Sequence, residues 1–236
     1  MKIEVLFPEI CNLFGDLYNP KYLARSCGAE IIRTSLKAEP FFVNETPDLI
    51  YIGSMSERSQ ELAVAALAPH KARLERLIDS GANMLVTGNA MELFGKQIDS
   101  DEGSSLEALG IFDFISKREM MNRYNALYLG TFGDMDIVGF KSQFSHAYGL
   151  ESLPPLFETV RGDGRNRLEK PEGIHVNNFM ATYVLGPLVL LTPPFAKYIL
   201  SLMGSENPEL AFEKAAFDSY LNRLTEFKAS STGFYY

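Results

Sequence analysis

Cysteine is scarce: Cys11 and Cys27 are the only two in 236 residues, and their spacing suits neither a metal-ligand pair nor a disulfide framework. No basic-then-apolar leader opens the chain and no run of about 18 apolar residues interrupts it, so neither a secretory signal nor a membrane span is expected, and the cytoplasm is the expected location. Clustered lysine and arginine are missing as well. With 22 basic against 30 acidic side chains the net charge is −8, which argues against a nucleic-acid groove and favours a neutral or basic partner. Internal repeats, low-complexity tracts and linker-like shifts in composition are also lacking. What remains is 46% hydrophobic and 22% charged, enough for one sizeable core and short for two. Residues 1–236 are therefore expected to form a single domain, with 229–236 as a loose tail.

Apolar runs alternate with helical patterns through the first half: 3–7, 22–29, 30–34 and 49–52. Such alternation predicts βαβ units and a parallel sheet. Residues 60–78 carry Leu62, Ala65, Ala66, Leu74, Leu77 and Ile78 at mostly helical spacing, with Pro69 opening a second helix after a break. Segments 109–115, 126–131 and 137–143, punctuated by Gly130, Gly133 and Asp134, read as hairpins that add an antiparallel extension. The glycine-rich stretch 161–166 reads as an exposed connector before two β-like runs at 173–176 and 179–184. Pro193-Pro194 and Asn207-Pro208 each predict a helix start, the second with Ala211, Phe212, Ala215 and Ala216 on one face.

Residues 83–95, Asn-Met-Leu-Val-Thr-Gly-Asn-Ala-Met-Glu-Leu-Phe-Gly, predict a buried strand turning sharply at Gly88 into a helix. Many α/β hydrolytic enzymes present a nucleophile at such an elbow. Here the turn holds a glycine, and no nucleophile stands there.

Three segments in this order carry a family resemblance: Asp48-Leu-Ile-Tyr-Ile-Gly-Ser-Met-Ser-Glu-Arg-Ser-Gln60; the elbow with Phe94-Gly95-Lys96; and Gly173-Ile-His-Val-Asn-Asn followed by Thr182-Tyr-Val-Leu-Gly-Pro187. Together they resemble the class I glutamine amidotransferases of the cobyric acid synthase type. Within that group the chain most resembles the glutaminase subunits of lipid II isoglutaminyl synthases, with further matches at Asn12-Leu-Phe-Gly-Asp-Leu-Tyr-Asn19 and Leu109-Gly-Ile-Phe-Asp-Phe114. The resemblance runs along most of residues 12–190. It implies an α/β, three-layer flavodoxin-like fold whose sheet is mostly parallel with an antiparallel extension. It also implies a domain that splits glutamine with an elbow cysteine and a later histidine, passing ammonia to a synthetase partner; no cofactor and no metal are expected.

The chemistry explains that pair. Amide attack needs a thiolate, which a neighbouring imidazole stabilises before protonating the departing ammonia, while backbone N–H groups hold the oxyanion. Carried onto this sequence, the nucleophile position falls on Gly88 and the histidine position on Leu185, where the family's Tyr-x-His-Gly-Pro has become Tyr183-Val-Leu-Gly-Pro187. Neither glycine nor leucine can attack or titrate. Retained are Gly53, on the loop resembling the oxyanion loop, and Arg58 and Gln60 beyond it.

Candidate ligand contacts are Gly53, Ser54, Gly88, Asn89 and Arg123. Arg123 falls where the resembled subunit carries an arginine that handles glutamine at the site mouth, and a guanidinium fork suits a carboxylate; a surface arginine paired to an acidic neighbour is the equal alternative. Asn89, Glu92, Ser54 and Ser56 can furnish a polar pocket with helix-end N–H groups, or line a collapsed remnant. Segment 141–147 departs from the family's His-, Gly- and Arg-rich loop. Cys11 and Cys27 read as buried apolar residues, His175 as a hydrogen-bonded core or loop residue, His70 as exposed, and Asp16 as a cap or turn residue with a lesser claim on the site.

The leading expectation is a catalytically degenerate glutamine amidotransferase-like subunit. It would act by binding a synthetase-type partner, such as a Mur-ligase-like subunit, or a small glutamine-like amide or carboxylate ligand. The alternative is an active glutaminase subunit that supplies ammonia for amidation of a lipid II or cobyrinate-type precursor. A third reading, self-association through residues 187–194 and the aromatic residues 234–236, is also open.

Overall fold

A computed structural model describes residues 1–236. Strand β1 (Lys2–Leu6) leads through α1 (Tyr18–Cys27) to β2 (Glu30–Thr34), then β3 (Leu49–Ile52), α2 (Glu57–Leu67), α3 (Lys71–Asp79) and β4 (Met84–Thr87). Each helix end has a local cause. Gly28 takes the left-handed conformation at φ 70° and its N–H closes on the Ala24 carbonyl, which stops α1. Ser56 caps α2 by accepting from the Ser59 N–H at 3.3 Å. Between α2 and α3, Pro69 sits in a 3₁₀ turn, the break that the sequence predicts.

The chain then leaves the parallel pattern. Strands β5 (Gln97–Ser100), β6 (Ser105–Glu107) and β7 (Ile115–Arg118) precede the long hairpin β8 (Tyr124–Phe132) and β9 (Met135–Gln143), followed by β10 (Ser145–Tyr148), β11 (Phe157–Arg161) and the short β12 (Pro171–Glu172). Strands β13 (Ile174–Val176) and β14 (Phe179–Thr182) return to the first sheet, and α4 (Leu188–Leu191), α5 (Pro193–Leu202) and α6 (Glu213–Lys228) follow.

The main sheet has the order β13-β14-β4-β3-β1-β2 and is parallel except for β13, which pairs antiparallel with β14 at one edge. Side-chain alternation makes it the middle of three layers. Ile50 and Ile52 of β3 pack with Ala63, Leu67 and Leu74 of α2 and α3, whereas Leu49 and Tyr51 pack with Leu23 of α1 and Ile199 of α5. Glu4, buried in β1, accepts from the Thr34 hydroxyl at 2.6 Å and from the N–H groups of Phe41 and Phe42 at 2.7 and 2.9 Å, and so ties the strand to the following turn.

Several sequence expectations give way here. The main sheet gains its antiparallel extension through β13, whereas the expected hairpin of 126–131 with 137–143 forms β8 and β9 of a separate four-stranded sheet, β12-β11-β8-β9, and a further one, β10-β7-β5-β6, stands beside it. Bridges between Phe140 and Leu185 tie β9 back to the segment after β14. Segment 109–114 is a loop rather than a strand, bonded by its N–H groups to the carbonyls of Leu93, Phe94 and Gly95.

Stretch 161–166 is not an exposed connector. Arg165 is buried and its guanidinium donates to the carbonyls of Gly173, Leu150 and Leu153 at 2.8, 2.8 and 2.7 Å, while Asn166 donates to the Ala147 carbonyl at 3.0 Å. Beside it Lys141, also buried, pairs with Glu172 and donates to the Gly164 carbonyl at 2.6 Å. The helix expected from Asn207-Pro208 begins at Glu213, because Phe212 turns the chain through a left-handed conformation at φ 55°.

Residues 229–236, expected as a loose tail, are held: Arg161 donates to the carbonyls of Phe227, Ala229 and Thr232, Phe234 is buried, and Tyr235 pairs antiparallel with Ala126 of β8. In the apolar run that follows β14, Leu188 and Val189 lie in the core instead of offering a surface for self-association.

Candidate functional site

The strands β3 and β4 end at a cavity of about 300 Å³, the place where open α/β sheets bind ligands. Ser54, Gly88, Asn89, Arg123, Tyr183 and Leu185 are among its walls. Sequence reasoning thus names residues that come together in space from four separate segments. Gly53 is the exception: it lies behind the cavity, where a Cβ would stand 3.0 Å from both the Cys11 carbonyl oxygen and Tyr51 Oη, so a glycine is required for packing. Arg58 is exposed and outside the walls.

At the elbow Gly88 has φ 64°, the left-handed region. The helix after it is a seven-residue 3₁₀ stretch, 88–94, not an α-helix. Short 3₁₀ segments align their peptides poorly, so the expected helix-end anion site does not form. A Cβ at position 88 would lie 2.5 Å from Ser54 Cβ and 3.2 Å from Leu185 Cδ2. The opposing loop has closed onto the space that a nucleophile would need. Leu185 is itself fixed, exchanging two backbone hydrogen bonds with Phe140 at 2.8 and 3.1 Å.

The loop that faces Gly88 is locked from beneath. Asp16, fully buried, accepts from the Ser54 N–H and the Thr87 hydroxyl at 2.9 Å each and from the Asn19 amide at 3.3 Å. It is more than a turn residue: it joins the Asn12–Asn19 segment to both strand ends. Asn89 clamps the next peptide, accepting from the Met55 N–H at 3.0 Å and donating to the Met55 carbonyl at 2.8 Å. Two N–H groups of the loop resembling an oxyanion loop are therefore spent on the protein's own side chains.

Below the cavity floor Glu92 collects three donors: Gln60 at 2.9 Å, Tyr183 at 3.1 Å and the Ser145 hydroxyl. Gln60 in turn accepts from Arg118 at 2.7 Å. Burial pushes the Asp16 and Glu92 carboxyls above the usual carboxylate range, against the pull of these donors. A raised pKa means that the folded chain holds the proton longer than the unfolded chain. Its contribution is complete below the ordinary carboxylate pKa and is lost as pH rises through the raised one. Glu92→Gln removes this titration, so its unfolding free energy, followed by urea denaturation at stepped pH, declines less steeply across that window, by up to about 1.4 kcal/mol per pH unit. An unchanged slope would show that Glu92 does not titrate there.

Arg123 reaches the mouth from the start of β8, donating to the Ser142 hydroxyl at 2.9 Å and lying over the Phe144 ring at 5.4 Å. No acidic side chain pairs with it, which leaves guanidinium donors for a ligand. The thiols and imidazoles lie elsewhere. Cys11 is buried 4.0 Å from the Met55 sulfur with its thiol pKa raised by burial, and Cys27 sits at the end of α1. His146 is buried beside Tyr124 outside the cavity, His175 packs on Phe132, and His70, half-buried instead of exposed, meets the edge of Phe42. Ser142, Gln143, Phe144 and Ser145 also line the wall; they belong to segment 141–147, whose departure from the family loop marks the segment but not which of its residues face the cavity.

A three-layer parallel sheet with this elbow and cavity is the architecture of class I glutamine amidotransferases. The chain belongs to the CobB/CobQ-like glutamine amidotransferase domain family, whose model matches residues 2–189. It is similar to the GatD subunit of the glutamine-hydrolyzing lipid II isoglutaminyl synthase of Staphylococcus aureus, 29% identical over 217 residues, 88% of this chain and 86% of that one. The corresponding GatD subunit of Streptococcus pneumoniae is 22% identical over 80% of this chain and 75% of its own. Among solved structures, a glutamine amidotransferase superposes with a TM-score of 0.58 at 13% identity over 86% of this chain and 99% of that one. Another, from Thermotoga maritima, gives 0.52 at 10% identity, covering 96% and 98%.

Proposed function

We propose that this chain is a catalytically silent glutamine amidotransferase-like subunit that works by binding. Its partner is a synthetase-type subunit of the Mur-ligase-like kind, and its cavity takes a small amide or carboxylate ligand at Arg123. The relatives that it is similar to are subunits of a lipid II isoglutaminyl synthase, which favours cell-wall precursor amidation as the setting.

One observation carries the reading: the site for a Cβ on residue 88 lies within 2.5 Å of Ser54, so the cavity is packed around the absence of a nucleophile. Leu185 fills the position where the resemblance implies an imidazole, and neither cysteine nor histidine reaches the walls. Arg123, with donors to spare, supports retention of a carboxylate-bearing ligand.

The test is ammonia release from glutamine by the purified chain. The expected rate equals that of the protein-free control. Release above that control, abolished by Arg123→Ala, would overturn the proposal and restore the glutaminase alternative.

A further inference from the structure

On the far side of Arg123 a second, shallower groove of about 460 Å³ opens between β8, the 161–166 stretch and the C-terminal segment, lined by Arg123, Tyr124, Asp163, Arg167, Tyr235 and Tyr236. Its chemistry differs from that of the cavity. The Arg167 guanidinium makes no hydrogen bond or ion pair and sits 5.6 Å over the Tyr124 ring, held there by stacking alone. Tyr124 is buried, with its hydroxyl beside the Asp163 carboxylate and the Tyr235 hydroxyl. Asp163, the one carboxylate in the groove, accepts from Tyr235 Oη at 3.0 Å. Tyr235 and Tyr236 are exposed, 62% and 73%, in a segment that Arg161 otherwise anchors firmly.

Two guanidiniums with unused donors beside three phenol rings make a recognisable combination. Arginine forks bind phosphate oxygens, and exposed aromatic faces stack on planar rings. We propose that this groove binds a nucleoside diphosphate, its phosphates between Arg123 and Arg167 and its base against Tyr235 or Tyr236. Because Arg123 lines both the groove and the cavity, a bound nucleotide would draw on the same guanidinium that a cavity ligand uses, and the two sites are coupled through it. Arg167 and the tyrosines do not line the cavity, so substitutions there probe the groove without touching the cavity wall.

The probes are ADP, adenosine and inorganic pyrophosphate, titrated calorimetrically into the purified chain at low ionic strength without divalent cations. ADP is expected to bind more tightly than either pyrophosphate or adenosine. Arg167→Ala, at an exposed position, lowers ADP affinity by about tenfold or more, the worth of one charge-assisted contact. Tyr235→Ala weakens ADP but not pyrophosphate; circular dichroism checks that both variants fold. No ADP binding at about 1 mM, ADP no tighter than pyrophosphate, or affinity unmoved by Arg167→Ala would each overturn the assignment. None of these readouts depends on glutamine, so they stand whichever way ammonia release turns out.

Discussion

Replacing Gly88 with cysteine lowers the unfolding free energy by about 2–4 kcal/mol, a sum of the cost of a left-handed L-residue and of overpacking. The new Cβ starts 2.5 Å from that of Ser54 and 3.3 Å from the Ser54 Cα, so either the side chain or the loop backbone must move. The loop is held by Asp16 and Asn89 and resists that movement. For the same reason Gly88→Cys with Leu185→His returns no glutaminase activity: a thiol forced into this turn displaces the loop that should oppose it. Ser54→Gly relieves the closer contact, and a double-mutant cycle of Gly88→Cys with Ser54→Gly, read by urea denaturation, gives a favourable coupling of about 1–2 kcal/mol. Additive effects would show that Ser54 does not close the elbow.

Lys141→Met costs about 3–5 kcal/mol, because it strands a buried carboxylate. Glu172 is fully buried and accepts from the Thr182 hydroxyl at 2.9 Å and the Tyr183 N–H at 2.8 Å, but Lys141 supplies its only countercharge at contact distance. Burial lowers the Lys141 pKa while Glu172 holds it up. Removing both charges, as Lys141→Met with Glu172→Gln, recovers most of the loss, since a neutral carboxamide still meets Thr182 and needs no cation. Thermal or urea unfolding of the four-member set decides it, and equal losses in the single and double variants would refute the account.

Where a feature depends on local pattern, it can be read from the chain alone. Strands β2 and β3 occupy the expected residues 30–34 and 49–52: β3 is an uninterrupted apolar run buried on both faces, while β2, with Glu30 and Arg33 exposed, forms the sheet edge. The break at Pro69 and the start at Pro193 follow from proline's fixed φ. The family match was legible from motif order, and with it the convergence of Ser54, Gly88, Asn89 and Arg123.

What pattern could not give was long-range partnership. Glycine and charge at 161–166 suggest solvent, but Arg165 finds three carbonyls, two from the Leu150–Leu153 turn and one from Gly173, and goes inside. Asn89 looks like a ligand donor until Met55, 34 residues away in sequence, is seen to occupy both ends of its carboxamide. The β8–β9 hairpin is legible as a hairpin, but its sheet is not, since strand pairing between distant segments leaves no trace in either.

A protein engineer looking for somewhere to splice in a reporter would be drawn to Arg161-Gly-Asp-Gly-Arg-Asn166, spelled like a permissive spacer. The guanidinium of Arg165 forbids it: lengthening the chain there would pull a cation away from the Leu150–Leu153 turn and the Gly173 carbonyl that it staples together. The tip between β5 and β6, where residues 101–104 are all exposed, is the better seam for grafted cargo.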